Sequence, residues 1–273
     1  MNRIDQRFAD LRAAGGKGLM PFITAGDPDL DTTRRVLLEL DAAGATVVEL
    51  GIPFSDPIAD GPVIQASMTR ALDANVALAD IFAMVAGVRA ELSLGLVAMV
   101  SYSLVFRFGP QKFVAAAAEA GFDGLIVPDL PLDEAADTAA IARKAGLTMS
   151  LLVSPQTDTR RAAEVAGLCS GFVYVLSRSG VTGERADVPA GLGERLTQLR
   201  SVSDLPMAVG FGVSTAEQAA DVARQADAVI VGSALVKRIH EAYETGGADA
   251  AVDATRAFVS ELNAGLAGVT TAG

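Results

Sequence analysis

The chain has 273 residues, of which 51% are hydrophobic, and 33 acidic residues against 22 basic ones give a net charge of −11. This balance argues against a nucleic-acid partner, because nucleic-acid-binding surfaces carry basic stripes that neutralise phosphates. No apolar run approaches the ~18–20 residues that span a bilayer, so we expect no membrane partner either.

The N-terminal residues and the small number of cysteine and histidine residues exclude further classes of protein. The start, MNRIDQRFADLRAAGGKG, lacks the apolar segment of a signal peptide, and the one cysteine, Cys169, excludes an internal disulfide. We therefore expect a cytoplasmic protein. The one histidine, His240, leaves almost nothing for a zinc site or a serine–histidine triad, so we expect no metal site. Any acid–base chemistry would depend on carboxylates.

Eight short apolar runs predict eight strands along the chain. In order, they cover residues 18–24, 46–52, 95–101, 124–130, 148–154, 171–177, 206–212 and 228–234. The segments between them, such as DTTRRVLLELDAAG and STAEQAADVARQAD, place apolar residues at helical spacing. Apolar strands that alternate with helices indicate a parallel sheet covered on both faces.

This pattern predicts an α/β fold, a single (β/α)₈ TIM barrel, because eight such strands close most economically into a ring. The alternative, an open doubly wound sheet, would need G-x-G-x-x-G after the first strand to hold a dinucleotide, where this chain reads TAGDPDLD. RIDQRFADLRAAG before the first strand and DAAVDATRAFVSELNAG after the last predict extra N- and C-terminal helices. Residues 1–273 are predicted to form one domain, with a flexible tail at 266–273.

Two carboxylates lie at the C-terminal end of the second predicted strand, where active sites lie in a barrel: Glu49 on the strand and Asp60 in the loop after it. Glu49 stands within an apolar run, which raises the pKa of a carboxyl and suits it to proton transfer near neutrality. Asp60, beside Gly61 in a looser loop, is expected to stay ionised. Two carboxylates in unlike environments are typical of an acid–base pair. The alternative is that Glu49 forms a buried ion pair and that Asp56 and Asp60 cap the following helix.

Glycines follow the last three predicted strands. Residues 177–193 form a polar loop after the sixth strand, GFGVS follows the seventh, and GSALV follows the eighth and opens a helix. Backbone N–H groups at Gly212, Gly232 and Ser233 are placed to hold a phosphate, the usual use of these loops in a barrel. The alternative is that these glycines serve only tight turns and helix ends.

Three aromatic residues are candidates for a substrate pocket. Phe22 and Phe211 lie near strand ends, where they could sandwich an aromatic substrate. Tyr174, on the sixth predicted strand, either points into the pocket or fills the barrel interior.

Five segments make the sequence more specific: LMPFITAGDP, VELGIPFSDPIADGPVIQ, FVYVLSRSGVTG, VGFGVS and VIVGSALVK. Their order and spacing resemble the tryptophan synthase alpha chain family from about residue 17 to 240. The resemblance implies a lyase on a (β/α)₈ barrel. Its reaction is the retro-aldol cleavage of indole-3-glycerol phosphate to indole and glyceraldehyde 3-phosphate, and a beta subunit uses the indole for L-tryptophan synthesis.

The same resemblance implies roles for individual residues. Glu49 gives a proton to C3 of the indole ring and helps deprotonate the adjacent hydroxyl, while Asp60 accepts a hydrogen bond from the indole N–H. The indole pocket and its lid are formed by Phe22, Tyr174, Thr182 and Phe211, with Thr182 closing toward Asp60. The phosphate-binding positions are Gly183, Gly212, Gly232 and Ser233.

The resemblance also implies a partner, a tryptophan synthase beta chain that carries pyridoxal phosphate, in an alpha-beta-beta-alpha complex. Asp56 and Pro57 match positions that face this partner, and no cofactor is expected in this chain. The sequence departs from the family at Ser101-Tyr102-Ser103, where Tyr-x-Asn is usual. Two other functions stay open: a lyase active without a beta chain, and a weakly catalytic barrel that mainly activates one.

Overall fold

The computed structural model describes residues 2–57, 60–177, 191–210 and 212–269, and strands and helices alternate through these ranges. The strands β1 to β9 are Gly18–Thr24, Val47–Gly51, Gly95–Met99, Gly124–Ile126, Thr148–Ser150, Leu152–Val153, Val173–Leu176, Met207–Gly210 and Ala228–Val231. The helices α1 to α11 are Arg3–Ala13, Leu30–Ala42, Pro62–Asp73, Leu78–Val88, Tyr102–Phe108, Pro110–Ala120, Leu132–Lys144, Thr159–Leu168, Leu192–Arg200, Ala216–Ala223 and Ser233–Leu266.

All of these strands are parallel and belong to one sheet, in the order β5-β4-β3-β2-β1-β9-β8-β7-β6. Only Leu151 separates β5 from β6, and the two strands are parts of one run. The first part pairs with β4 and the second part with β7, so this run joins the two ends of the strand order. The sheet therefore closes into a ring with eight strand positions. The predicted (β/α)₈ barrel is confirmed.

Side chains alternate between the interior of the ring and the layer beneath the helices. Buried residues of the interior cluster are Met20, Val47, Val97, Ile126, Phe172, Tyr174, Ala208, Ala228 and Ile230. Val48 and Leu50 point the other way and pack in the large cluster between strands and helices. Because Val47 faces the interior, Glu49 and Gly51 on the same strand face it too.

The predicted N-terminal helix closes one end of the barrel. A side chain on either Gly95 or Gly124, the first residues of β3 and β4, would meet the Ile4 side chain at 2.7 and 3.1 Å. The Phe8 ring packs 5.9 Å from that of Phe172, centroid to centroid. Helix α1 therefore lies at the N-terminal ends of the strands, and the opposite end is left for a site.

The predicted C-terminal helix is present and is joined to the helix that follows β9 across a kink at Gly247. Helix α11 runs from Ser233 to Leu266 and bends at Gly247, whose φ of 70° and ψ of −161° are not helical. Leu266 is buried at its end, and the flexible tail predicted from that point stays a prediction. No single helix among the described residues could cross a membrane by its length and apolar composition. Only the pair Pro62–Asp73 and Leu78–Glu91, bent by 98°, passes that test together.

The predicted strands were right in position, and the first was right at both ends, but the other predicted strands extend past the observed C-terminal ends and three of them also begin one or two residues early. β3 ends at Met99 rather than at residue 101, because Ser101 already caps α5 and accepts a hydrogen bond from the Ser103 N–H. β4 ends at Ile126 rather than at residue 130, since Pro128 has no N–H to donate to a neighbouring strand. Because these strands end early, the residues that follow them form the loops that surround the site.

Candidate active site

Glu49 is a buried carboxyl without a partner. It lies on β2 opposite Phe22 of β1 and Val97 of β3, and it is 1% exposed. Both of its carboxyl oxygens are buried, and no hydrogen-bond partner for them exists among the described residues. The alternative of a buried ion pair is therefore wrong. Desolvation raises the pKa of Glu49 well above its usual value, so the neutral acid persists to a higher pH than in an exposed glutamate.

Tyr174 points into the barrel, in the same interior as Glu49. Burial raises the pKa of its phenol well above the usual value, and the charges of Glu49 and Asp60 raise it further. The three groups therefore lie within electrostatic range of one another. A Cβ at Gly210 would lie 2.9 Å from the Tyr174 hydroxyl oxygen, so the glycine on the neighbouring strand β8 leaves room for this phenol.

Phe22 forms an apolar wall beside Glu49. It packs with Ile64 and Met68 of α3 and Val236 of α11 and is 5% exposed. A Cβ at Gly51 would lie 2.5 Å from the Phe22 Cζ, so the ring occupies the space that a side chain there would need.

Asp60 lies in the loop between β2 and α3. Gly61, not an aspartate, is the N-cap of α3, and no side chain caps this helix, so the alternative of Asp56 and Asp60 as helix caps is wrong. Burial raises the pKa of Asp60 to about 6. The expectation of a loose, solvated loop therefore needs correction, but a pKa of about 6 still leaves Asp60 mostly ionised at neutral pH, as expected. Apolar side chains such as Met68 and Met99 line the same pocket and desolvate the carboxyl.

The pocket beside Asp60 continues toward an exposed surface. Asp56 and Pro57 also line it, and Asp56 is exposed while Pro57 is half-buried. On the opposite wall, Asp129 accepts hydrogen bonds of 2.7 Å from the Ser101 hydroxyl and the Tyr102 N–H. This pair of bonds fixes the start of α5 at the segment where the sequence departs from Tyr-x-Asn.

Gly212, Gly232 and Ser233 follow neighbouring strands. Gly210 of β8 pairs with Ile230 of β9, so Gly212 and Gly232 each lie two residues beyond a matched pair. Gly212 has a φ of 75°, which a side chain would strain. Ser233 is buried and begins α11, whose first N–H groups have no acceptor within the helix. The three residues therefore lie at the C-terminal ends of two neighbouring strands, and their phosphate role stays a prediction.

Three predicted site residues, Thr182, Gly183 and Phe211, lie outside the described residues. The loop from about residue 178 to 189, predicted to act as a lid, lies outside them as well. Their predicted roles stay predictions.

The profile of the tryptophan synthase alpha chain family matches residues 8–266. The chain belongs to the tryptophan synthase alpha chain family. The tryptophan synthase alpha chain of Citrifermentans bemidjiense is 47% identical over 266 residues, which cover 97% of this chain and 98% of that one. The alpha chain of a Picosynechococcus species is 44% identical over 268 residues, covering 98% and 100%.

Solved structures of tryptophan synthases have the same fold. A Legionella pneumophila tryptophan synthase alpha subunit superposes with a TM-score of 0.87 at 37% identity, covering 98% of this chain and 100% of that one. A chain of Mycobacterium tuberculosis tryptophan synthase gives a TM-score of 0.88 at 34% identity, covering 97% and 98%. The chain is therefore an enzyme, a lyase of the tryptophan synthase alpha type, and the predicted function is confirmed.

Sequence reasoning missed residues that shape this alpha chain's pocket without carrying its chemistry. Gly51 and Gly210 leave room for the rings of Phe22 and Tyr174, and Asp129 anchors α5. The position of a glycine in the sequence could have indicated this role. Gly51 lies two residues after Glu49 on an apolar strand, so it faces the same side, and a glycine there indicates close approach.

Proposed function

We propose that Glu49 and Asp60 perform, in this chain, the reaction of its family: the cleavage of indole-3-glycerol phosphate to indole and glyceraldehyde 3-phosphate. The observation that carries the proposal is the Glu49 carboxyl, which faces the barrel interior with both oxygens buried and with no hydrogen-bond partner in the part of the chain that the structure describes. An unpaired buried carboxyl is costly to the fold, and a proton-transfer role explains why it is retained.

Glu49 acts first as an acid and then as a base. Indole is a poor leaving group until C3 of the ring receives a proton, and the neutral Glu49 carboxyl supplies that proton. The resulting carboxylate accepts the proton of the hydroxyl on the adjacent side-chain carbon. The carbon–carbon bond then breaks, its electron pair returns to the ring, and the aldehyde carbonyl forms. Glu49 ends the cycle protonated.

Asp60 stabilises the charge that develops on the ring. Protonation of C3 makes the ring nitrogen more positive, and an ionised carboxylate that accepts its N–H hydrogen bond lowers the barrier. A pKa of about 6 keeps Asp60 mostly ionised at neutral pH. Phe22 and Tyr174 form walls of the indole pocket, while the backbone N–H groups of Gly212, Gly232 and Ser233 hold the phosphate.

A tryptophan synthase beta chain is the partner that family membership implies. We infer that it docks over the exposed end of the pocket, at Asp56 and Pro57, and over α5, whose Phe106 is 68% exposed. Aromatic residues are enriched at protein interfaces relative to the rest of a protein surface. The beta chain carries the pyridoxal phosphate and assembles in an alpha-beta-beta-alpha complex, whereas this chain uses no cofactor.

Two further inferences concern the chain as a whole. The chain forms one domain, which is supported by the membership of all described strands in one sheet. It works in the cytoplasm, which fits its free, buried thiol at Cys169.

The experiment is an assay of indole release from indole-3-glycerol phosphate by the purified chain, with and without a beta chain. Glu49→Gln should lower kcat by ~10²- to 10⁴-fold, the usual loss for a positioned general acid. Glu119→Gln, an exposed substitution of the same chemistry on α6, is the control and should leave kcat unchanged. Turnover of Glu49→Gln near that of the parent chain would refute the proposal.

A further inference from the structure

A glutamine one helical turn beyond Asp60 is bonded to the loop that carries it. The Nε2 of Gln65 donates a hydrogen bond of 2.8 Å to the Asp60 carbonyl and a second, of 3.3 Å, to the Pro57 carbonyl. The Asp60 N–H donates to the same Pro57 carbonyl at 3.0 Å. Two backbone positions of the loop are therefore held by one side chain.

Gln65 does not need these bonds to build its own helix. Its backbone N–H already bonds the Gly61 carbonyl at 2.9 Å, as in any first turn. Its side chain donates backwards to carbonyls that precede the helix, whereas a capping side chain accepts from helical N–H groups. These contacts serve the loop rather than the helix.

Helix α3 is itself fixed to the barrel strand that bears Phe22. The hydroxyls of Ser67 and Thr24 are hydrogen-bonded at 2.6 Å in the buried contact between α3 and β1. One turn later, Arg70 binds both oxygens of Asp27 at 2.7 Å, and the Asp27 side chain is 3% exposed. Gln65 therefore connects the Asp60 loop to a helix that cannot easily shift.

We propose that Gln65 is a positioning residue for the lyase reaction, which holds the Asp60 backbone so that the carboxylate meets the indole N–H. The inference rests on the proposed role of Asp60. Geometry of this kind matters because a displacement of about 1 Å at a reacting group can cost ~10²-fold in rate. No described residue donates a hydrogen bond to the Asp60 carboxylate, so its backbone contacts carry much of the positioning.

The test is steady-state kinetics of indole release by the full chain carrying Gln65→Met or Gln65→Glu. Methionine keeps the size of the side chain without a donor, and glutamate replaces the donor by acceptors. Both variants should lose about tenfold in kcat, with KM changed less than about twofold, since the phosphate loops are untouched. Thr69→Ala, an exposed change on the same helix, is the control and should behave as the parent chain.

A double-mutant cycle separates positioning from a general effect on folding. In an Asp60→Asn background, Gln65→Met should cost nothing further, because the group that it positions is gone. A full tenfold additional loss in that background would overturn the inference. Normal kcat for both Gln65 variants, when Asp60→Asn itself is impaired, would overturn it too. Normal turnover of Asp60→Asn alone would overturn the proposed role of Asp60 and this inference with it.

Discussion

Gly51 lies on the inward side of β2, and the Phe22 ring fills the space that a side chain would take. A Cβ there would stand 2.5 Å from the Phe22 Cζ and 2.7 Å from its Cε2. Carbon atoms in contact prefer ~3.5–4.0 Å, so Gly51→Ala requires the ring to move by about 1 Å. The ring cannot move freely, because Ile64, Met68 and Val236 pack around it.

Two effects of Gly51→Ala follow from this overlap. Overpacking should lower the free energy of unfolding by ~1–3 kcal/mol. Displacement of the pocket wall beside Glu49 should lower kcat/KM by up to ~10²-fold. Urea unfolding and indole release measure the two effects separately.

Gly87→Ala is the matched control, because it lies in α4 with no atom within 4 Å of the new Cβ. It should leave kcat/KM unchanged and stabilise the helix by ~1 kcal/mol. Phe22→Leu should relieve the clash, so that Gly51→Ala costs less activity in that background than in the parent chain. Normal kcat/KM for Gly51→Ala, or equal losses in both backgrounds, would refute the reasoning.

Four further predictions concern Asp60, the phosphate site and the partner surface. Since only ionised Asp60 accepts the indole N–H bond, kcat/KM should fall as the pH decreases through about 6, and a profile without this limb would contradict the assignment. Burial raises this pKa from 3.8, so the folded state binds the Asp60 proton more tightly than the unfolded state does. This contribution to the free energy of unfolding is fully present below pH 3.8 and is lost as the pH rises through about 6. Asp60→Asn should therefore gain stability relative to the parent between those values, as measured by urea unfolding. Gly212→Val should raise KM steeply, because its φ of 75° strains a branched residue, and unchanged affinity for glyceraldehyde 3-phosphate would argue against that site. Asp56→Asn and Phe106→Ser should keep basal cleavage but weaken activation in a titration with beta chain, and equal activation would remove them from the interface.

The fold could be predicted from the sequence because its signals are local. Apolar runs of about seven residues mark strands, and their alternation with amphipathic helices indicates a parallel barrel. The strand ends could not be predicted in this way. Ser101 and Pro128 stop β3 and β4 through a helix cap and a missing N–H, and neither effect is visible in the pattern of apolar residues alone.

The site was predictable to the extent that its residues sit on strands. The period of two places Glu49 inside the barrel, and its apolar neighbours indicate a raised pKa. Asp60 was less predictable, because its burial comes from residues that its own loop does not contain. Met99, which lines the pocket beside Asp60, lies on β3. Tyr174, whose pKa is raised by the charge of Asp60, lies on β7. Nothing in the local sequence around Asp60 reveals these neighbours.

The pairing of β1 with β9 has a consequence for the nascent chain. Gly18 of β1 pairs with Ala228 of β9, so β1 can complete its pairing only after the ribosome has synthesised β9. At the usual rate of synthesis this interval is roughly 10–40 s, during which β1 has a free edge open to mispairing. Both proposed acids leave the ribosome early, whereas Gly232 and Ser233 come with the last strand. Synthesis of β9 therefore both covers the free edge of β1 and supplies Gly232 and Ser233, the residues that we assign to phosphate binding.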